Sequence, residues 1–264
     1  MFVFGVCAGP NDRFETICAP ALEREVLAGN RLISLREQPS IAVAYNSILD
    51  QAQDAPDLEG VVLLHDDVAL DDDTLLPRLR QLFADGAVGI AGAMGGRGKR
   101  RGMSWWTCER AVGVVHDSVG VLRGKVPLPA DAETLDGLLL ALSPWAARNI
   151  RFDTSYPGFH GYDADVCSQV TAAGLRAVVI EMQLVHHTGG PFGSPSSYED
   201  WMRATLRWRS KWTDQGILER LANPVRTRLL PIELRVRPAA RRRRDEIRTR
   251  QQPSMPERAQ EAGC

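Results

Sequence analysis

The stretch VVLLHDDV, Val61–Val68, constrains this chain more than any other. Four apolar, β-branched or leucine residues read as a buried strand. They run straight into His65, Asp66 and Asp67. Side chains alternate along a strand, so His65 and Asp67 share one face and Asp66 points the other way. Two readings of the polar end stand side by side. It is either a turn after a strand or a place where carboxylate and imidazole hold a hard cation or its ligand. Asp71, Asp72 and Asp73 follow and read as the acidic start of a helix, where caps and first turns favour carboxylates.

The elements around this stretch set the fold class. Phe2–Cys7 is strand-like and ends in the turn AGPND; in an α/β fold the loop after the first strand often receives a nucleotide. Glu15–Ala28 reads as a helix and Arg31–Leu35 as a second strand. SIAVAYNSILDQAQ, from Ser40, reads as a helix with Ser40 as its N-cap. Thr74–Phe83 is a further helix and Val88–Gly92 a further strand. This alternation predicts a parallel sheet with helices packed on it.

The pattern then changes. GAMGGRGKRRG, from Gly92, reads as a glycine-rich basic loop, and it lacks the GK[ST] of a phosphate-binding P-loop. Trp105 and Trp106 follow, then a hairpin over Val112–Val115 and Val119–Leu122. LDGLLLAL, from Leu135, is apolar again. GFHGYDADVC forms a loop feeding a helix, Ala177–Ile180 is a strand, and Gln183–His187 ends in two histidines. A helix over Tyr198–Trp212 carries Trp201, Thr205, Trp208 and Trp212 on one stripe, which is expected to pack on the main domain.

Charge is uneven. Residues 201–264 carry 16 Lys and Arg against 7 Asp and Glu, and residues 1–200 carry 16 against 26. The net charge of -1 gives no case for nucleic acid as a partner. Residues 1–212 are expected to form one domain and 213–237 an extension. The stretch 238–264, with four arginines at Arg241–Arg244, is expected to be a disordered basic tail, for which loose contact with an anionic membrane is the alternative to simple solvation. The five cysteines form no CxxC pair, and no apolar run reaches the roughly 20 residues of a membrane span. These features point to a reduced, cytoplasmic chain.

His65, His160, His186 and His187 lie beside acidic or glycine-rich motifs at element ends, as do Asp163 and Asp165. Such a set makes a site more than chance. Taken in order, SIAVAYNSILDQA, VVLLHDDV, LDGLLLAL, RFDTSYPGFHGYDADVC and HHTGG resemble a family 2-type glycosyltransferase of the GT-A fold, in the branch that includes the streptomycin biosynthesis protein StrF. The resemblance covers roughly residues 1–212.

The resemblance implies a GT-A-type single domain: a mostly parallel nucleotide-binding sheet flanked by helices, with a C-terminal helix. HDD occupies the family's DxD position. Asp67 stands where the metal-binding Asp falls, and His65, in place of the first Asp, contacts the metal or the nucleotide. Asp66 is placed beside the donor. Asp136, of LDG, falls where the family lines the donor-sugar and acceptor pocket. Asn46 matches a recurrent Asn that is structural or close to the nucleotide. His186 or His187 would complete a Mg²⁺ or Mn²⁺ site, and YDAD would supply the base, Asp163, with Asp165 holding the loop.

The implied reaction moves a sugar from a nucleotide-sugar to an acceptor hydroxyl, with inversion. The acceptor is a glycan, a lipid-linked species or a small molecule. Two alternatives use the same residues: a metal-dependent hydrolase or nucleotidyltransferase acting on nucleotide diphosphates, and a non-catalytic nucleotide-sugar-binding domain.

Overall fold

A computed structural model describes residues 1–98, 102–118, 120–124, 126–187 and 195–213. The extension beyond Thr213 and the basic tail lie outside the described residues. In chain order the strands are β1 (Phe2–Ala8), β2 (Arg31–Arg36), β3 (Gly60–His65), β4 (Val68–Leu70), β5 (Val88–Gly92), β6 (Met94–Arg97), β7 (Arg110–Asp117), β8 (Gly120–Arg123), β9 (Ala130–Ala132), β10 (Thr134–Leu135), β11 (Leu139–Leu142), β12 (Arg176–Val179) and β13 (Leu184–His186). The helices are α1 (Ala19–Leu27), α2 (Ile41–Ala52), α3 (Leu75–Phe83), α4 (Pro144–Asn149), α5 (Tyr162–Ala172) and α6 (Pro195–Trp212).

The first sheet has seven strands in the order β2-β1-β3-β11-β5-β12-β9. β1 pairs in parallel with both β2 and β3. The apolar run of β3 has no polar face because both of its faces are covered. Val61 and Leu63 join the core beneath α2, α4 and α5, while Val62 and Leu64 join the core that includes residues of α1 and α3. Ser40 caps α2 by accepting the Val43 N–H at 3.3 Å, as its position before the apolar run predicts. A Cβ on Gly5 would lie 2.6 Å from Ile48, so the glycine lets α2 sit close on β1.

The sheet is mixed rather than uniformly parallel. β11 inserts antiparallel between β3 and β5, and β9 closes the edge antiparallel to β12. LDGLLLAL reaches this place only after the chain has passed through β6 to β10, so its antiparallel pairing with β3 and β5 is not that of a βαβ crossover.

A second sheet runs β10-β6-β7-β13-β4, with β8 beside β7. It corrects one expectation. The segment Met94–Arg97, read as part of a loop, is a strand paired antiparallel with β7. Its glycines answer crowding: a Cβ on Gly95 would lie 2.6 Å from the Thr134 carbonyl oxygen, and one on Gly96 would lie 2.7 Å from Cys108. Lys99, Arg100 and Arg101, which complete the basic run, lie outside the described residues.

The tryptophan stripe of α6 packs on the domain as its spacing predicts. Trp208 is buried, and its indole N–H donates to Ser168. Trp201 and Trp212 pack beside it. No helix among the described residues is long and apolar enough to cross a membrane.

Candidate active site

The chain passes from the first sheet to the second through the HDD turn. His65 is the last residue of β3, Asp66 and Asp67 turn, and β4 begins at Val68. β13 lies antiparallel to β4 with His186 opposite Val68, and parallel to β7 with His186 opposite Asp117. The His187 N–H donates to the Asp67 carbonyl at 2.8 Å, which locks that register. The register carries His186 to the turn and leaves the His187 side chain exposed.

His65, Asp67 and His186 each offer a ligand atom, and these atoms all lie within 4.8 Å of one another. Of the two C-terminal histidines named from sequence, His186 therefore joins the cluster.

Each member is held from behind. His65 Nε2 lies 2.6 Å from the Tyr162 hydroxyl, which leaves Nδ1 for a metal. His186 Nδ1 lies 3.1 Å from Asp117 Oδ2, while its Nε2 faces Asp67 Oδ1 at 3.3 Å. Asp67 Oδ2 accepts a charged bond from Arg13 Nη1 at 3.0 Å. Asp67 Oδ1 is buried and has no hydrogen-bond partner. A bound cation satisfies such an atom, so the donor set fits a metal ion.

The electrostatics follow from these neighbours. Burial pushes the Asp67 carboxyl up, but His186, His65 and Arg13 outweigh it and hold the group below its usual value. Burial depresses His65 below the ordinary histidine range, against the pull of Asp67, which favours the neutral form that ligates metal. His186 is also pushed down by burial, yet Asp67, Asp136 and Asp117 carry it above the ordinary value.

Beside the cluster lies a cavity of about 730 Å³. Its lining combines the aromatic residues Trp105, Trp106, Phe159 and Trp201 with the polar residues His65, His160, His186, Asp136 and Asp163. Asp136 is fixed on both oxygens: Trp105 Nε1 donates to Oδ2 at 2.6 Å and the Leu138 N–H to Oδ1 at 3.1 Å. Tyr162 lies over Gly137, where a Cβ would fall 2.1 Å from its hydroxyl, so no other residue leaves room for the Tyr162–His65 bond.

Asp163 and Asp165 both sit in the first turn of α5, behind Gly161, which takes a left-handed conformation at φ 82°. They part company there. Asp163 faces the cavity, and burial followed by the nearby Asp136 carboxylate raises its carboxyl to about 7. Asp165 is fully buried and takes bonds from the Tyr156 hydroxyl, Gln169 Nε2, Trp212 Nε1 and Lys211 Nζ. It ties α6 and the Tyr156 loop to α5.

Two sequence candidates lie away from the cluster. Asn46, read from the family pattern as structural or close to the nucleotide, has its whole amide engaged with backbone. Its amide donates to the Phe152 carbonyl at 2.9 Å and its oxygen accepts the Phe152 N–H at 2.8 Å. It pins α2 to the segment after α4 and does not line the cavity. Asp66 does not join the His65–Asp67–His186 cluster and instead accepts the Gly9 N–H at 2.7 Å. It thereby holds the loop after β1.

Sequence reasoning missed Arg13, Asp117 and the roles of Trp105 and Tyr162. A tyrosine replacing an acid beside DAD was a visible departure, but the residue it serves lies 97 positions away.

Comparison with known proteins gives the family. Residues 22–204 match a family described as glycosyltransferase-like. The streptomycin biosynthesis protein StrF of Streptomyces griseus is 34% identical over 253 residues, covering 92% of this chain and 85% of that protein. A mannosyltransferase from Pyrobaculum calidifontis, solved with GDP-Man and Mn²⁺, is 16% identical with a TM-score of 0.49, covering 90% of this chain and 75% of that one. GalNAc-T7, solved with UDP, GalNAc and Mn²⁺, is 9% identical with a TM-score of 0.47, covering 86% of this chain and 49% of that one. The family match over most of the chain and the identity to StrF establish that the protein belongs to the glycosyltransferase-like family and is a glycosyltransferase.

Proposed function

We propose that the protein transfers a sugar from a nucleotide-sugar to an acceptor hydroxyl in one metal-dependent, inverting displacement. The observation that carries this reading is that two members of the His65–Asp67–His186 cluster, His65 and His186, line the same cavity as Asp163. His65, Asp67 and His186 would hold a Mn²⁺ or Mg²⁺ ion. Two imidazoles beside one carboxylate suit Mn²⁺ better, since Mg²⁺ prefers oxygen donors throughout. Such an ion supplies charge neutralisation for a departing diphosphate.

Asp163 takes the proton from the acceptor hydroxyl as that oxygen bonds to the anomeric carbon. The bond from that carbon to the diphosphate oxygen breaks, and the nucleoside diphosphate leaves with the electron pair. A base poised near neutrality suits this task, and a carboxyl raised to about 7 meets the requirement. Asp136, locked by Trp105, lies beside Asp163 and is the second cause, after burial, of its raised carboxyl. The aromatic residues of the lining offer apolar ring faces for the acceptor. Asp165 is engaged elsewhere and Asp136 is held on both oxygens by Trp105 and the Leu138 N–H, so Asp163 is assigned the base of a single displacement.

The reading is tested by thermal shift with a panel of UDP-, GDP- and dTDP-sugars, with and without Mn²⁺. A donor that binds the native state raises the melting temperature, and the rise should require the metal. With the donor known, the anomeric configuration of the product by NMR decides inversion. A shift indifferent to Mn²⁺, or a retained anomer, would count against the reading.

A further inference from the structure

Arg13 stands at a place that neither the motif pattern nor the family match explains. It follows the loop after β1 and begins the π-helical turn Phe14–Cys18 that leads into α1. Its guanidinium reaches Asp67 Oδ2 at 3.0 Å. The other oxygen of that carboxylate, Oδ1, is the buried atom without a hydrogen bond, and it faces His186. The carboxylate is therefore divided: one oxygen answers a resident cation and the other is turned toward the cluster. The Asp67 side chain is 11% exposed and that of Arg13 36%. Arg13 thus reaches in from the surface, and Pro10, Asn11 and Asp12 before it are exposed.

We propose that Arg13 is a counter-cation that neutralises Asp67 in the metal-free protein and competes with the metal for it. The inference rests on the metal reading above. A buried carboxylate is costly without counter-charge, and Arg13 adds a permanent cation to the His186 imidazole already beside it. A divalent cation on Oδ1 would lie within a few ångströms of the guanidinium on Oδ2, and like charges that close repel. Metal loading therefore works against the Arg13–Asp67 pair. A guanidinium displaced at this point, next to the loop that faces a nucleotide in α/β folds, is placed to meet the diphosphate of a donor, for which its fork is well shaped. Binding of the metal alone is thereby kept weak.

The sign of one measurement decides this. Mn²⁺ alone is titrated into wild type, Arg13→Met and Arg13→Lys, with free Mn²⁺ followed by electron paramagnetic resonance. If Arg13 competes, Arg13→Met binds Mn²⁺ more tightly, by about tenfold for the loss of one nearby positive charge. Arg13→Lys keeps that charge and stays near wild type. Without metal, Arg13→Met should melt lower than wild type, and saturating Mn²⁺ should close that gap. Mn²⁺ binding that is unchanged or weaker in Arg13→Met overturns the inference while leaving the metal reading intact. Absence of Mn²⁺ binding in all three proteins overturns both. Arg13→Gln serves the same test if the methionine variant does not fold.

Discussion

The HDD corner and the first turn of α5 each hold a carboxylate, Asp67 behind His65 and His186 and Asp163 on the cavity itself, and they treat it in opposite ways. At the corner, Asp67 is ringed by His65, His186 and Arg13, which hold it ionised despite its burial. At α5, Asp163 meets burial and a second carboxylate, Asp136, which push it up to about 7. The same side chain thus becomes a permanent anion in one place and a proton acceptor near neutrality in the other. Neighbours assign these roles, since the residue type is identical.

The most severe break of this contrast is Asp67→Ala. It removes the anion around which three cationic or ligating groups are gathered, and metal-dependent binding of a nucleoside diphosphate should be lost while the fold survives. Calorimetry with Mn²⁺ and UDP or GDP checks this, and undiminished metal-dependent binding would rule out the corner as a metal site.

Asp163→Asn tests the other side. It keeps shape and hydrogen bonding but accepts no proton, and turnover should fall by roughly 10²–10⁴. Donor affinity should stay near wild type. The same variant has a stability signature. The folded carboxyl is raised from 3.8 to about 7, so the stability it contributes is full at low pH and is lost as pH rises through about 7. Asn carries no such dependence, so Asp163→Asn should gain melting temperature relative to wild type between pH 5 and pH 8.

Asp165→Asn separates the neighbour with no place in the chemistry. Its four donors include Lys211 and Trp212 of α6, and weakening that buried network should cost about 3 kcal/mol in denaturant unfolding. Turnover of the folded fraction should remain. Normal turnover in Asp163→Asn with a folded but inactive Asp165→Asn would reverse the assignment.

The smallest expected effect is the most specific. Asp136→Asn removes the second cause of the raised Asp163 carboxyl and leaves burial, the larger one. The acid limb of the pH–rate profile, set by Asp163 near 7, should move part of the way downward. A limb that stays in place would mean that the two carboxylates do not sense each other.

Much of this was legible in the chain. The apolar run Val61–Leu64 ending in HDD, the cap at Ser40, the stripe Trp201–Trp212 and the alternation of strands and helices are local patterns with local causes, and each appears where its period or cap places it. His65 and Asp67 meet while Asp66 goes to Gly9, although Asp66 and Asp67 lie in the turn beyond the strand's two-residue repeat. The glycine-rich Met94–Arg97 misled because the same glycines serve a flexible loop and a crowded strand, and only the Thr134 and Cys108 contacts distinguish the two.

What the tertiary structure alone decided is which of the candidates meet. His186 was indistinguishable from His187 until the register of β13 against β4 and β7 set it beside Asp67 and Asp117. Arg13, 54 residues from Asp67, carried no signal at all, because an arginine after a turn is ordinarily a solvated one. Asn46 matched a motif and proved to be spent on the Phe152 backbone. The physical reason is common to all three. Local sequence encodes backbone preference and burial, whereas ligation, ion pairing and pKa depend on distances of a few ångströms between segments far apart in the chain, and those distances exist only once the sheets have paired.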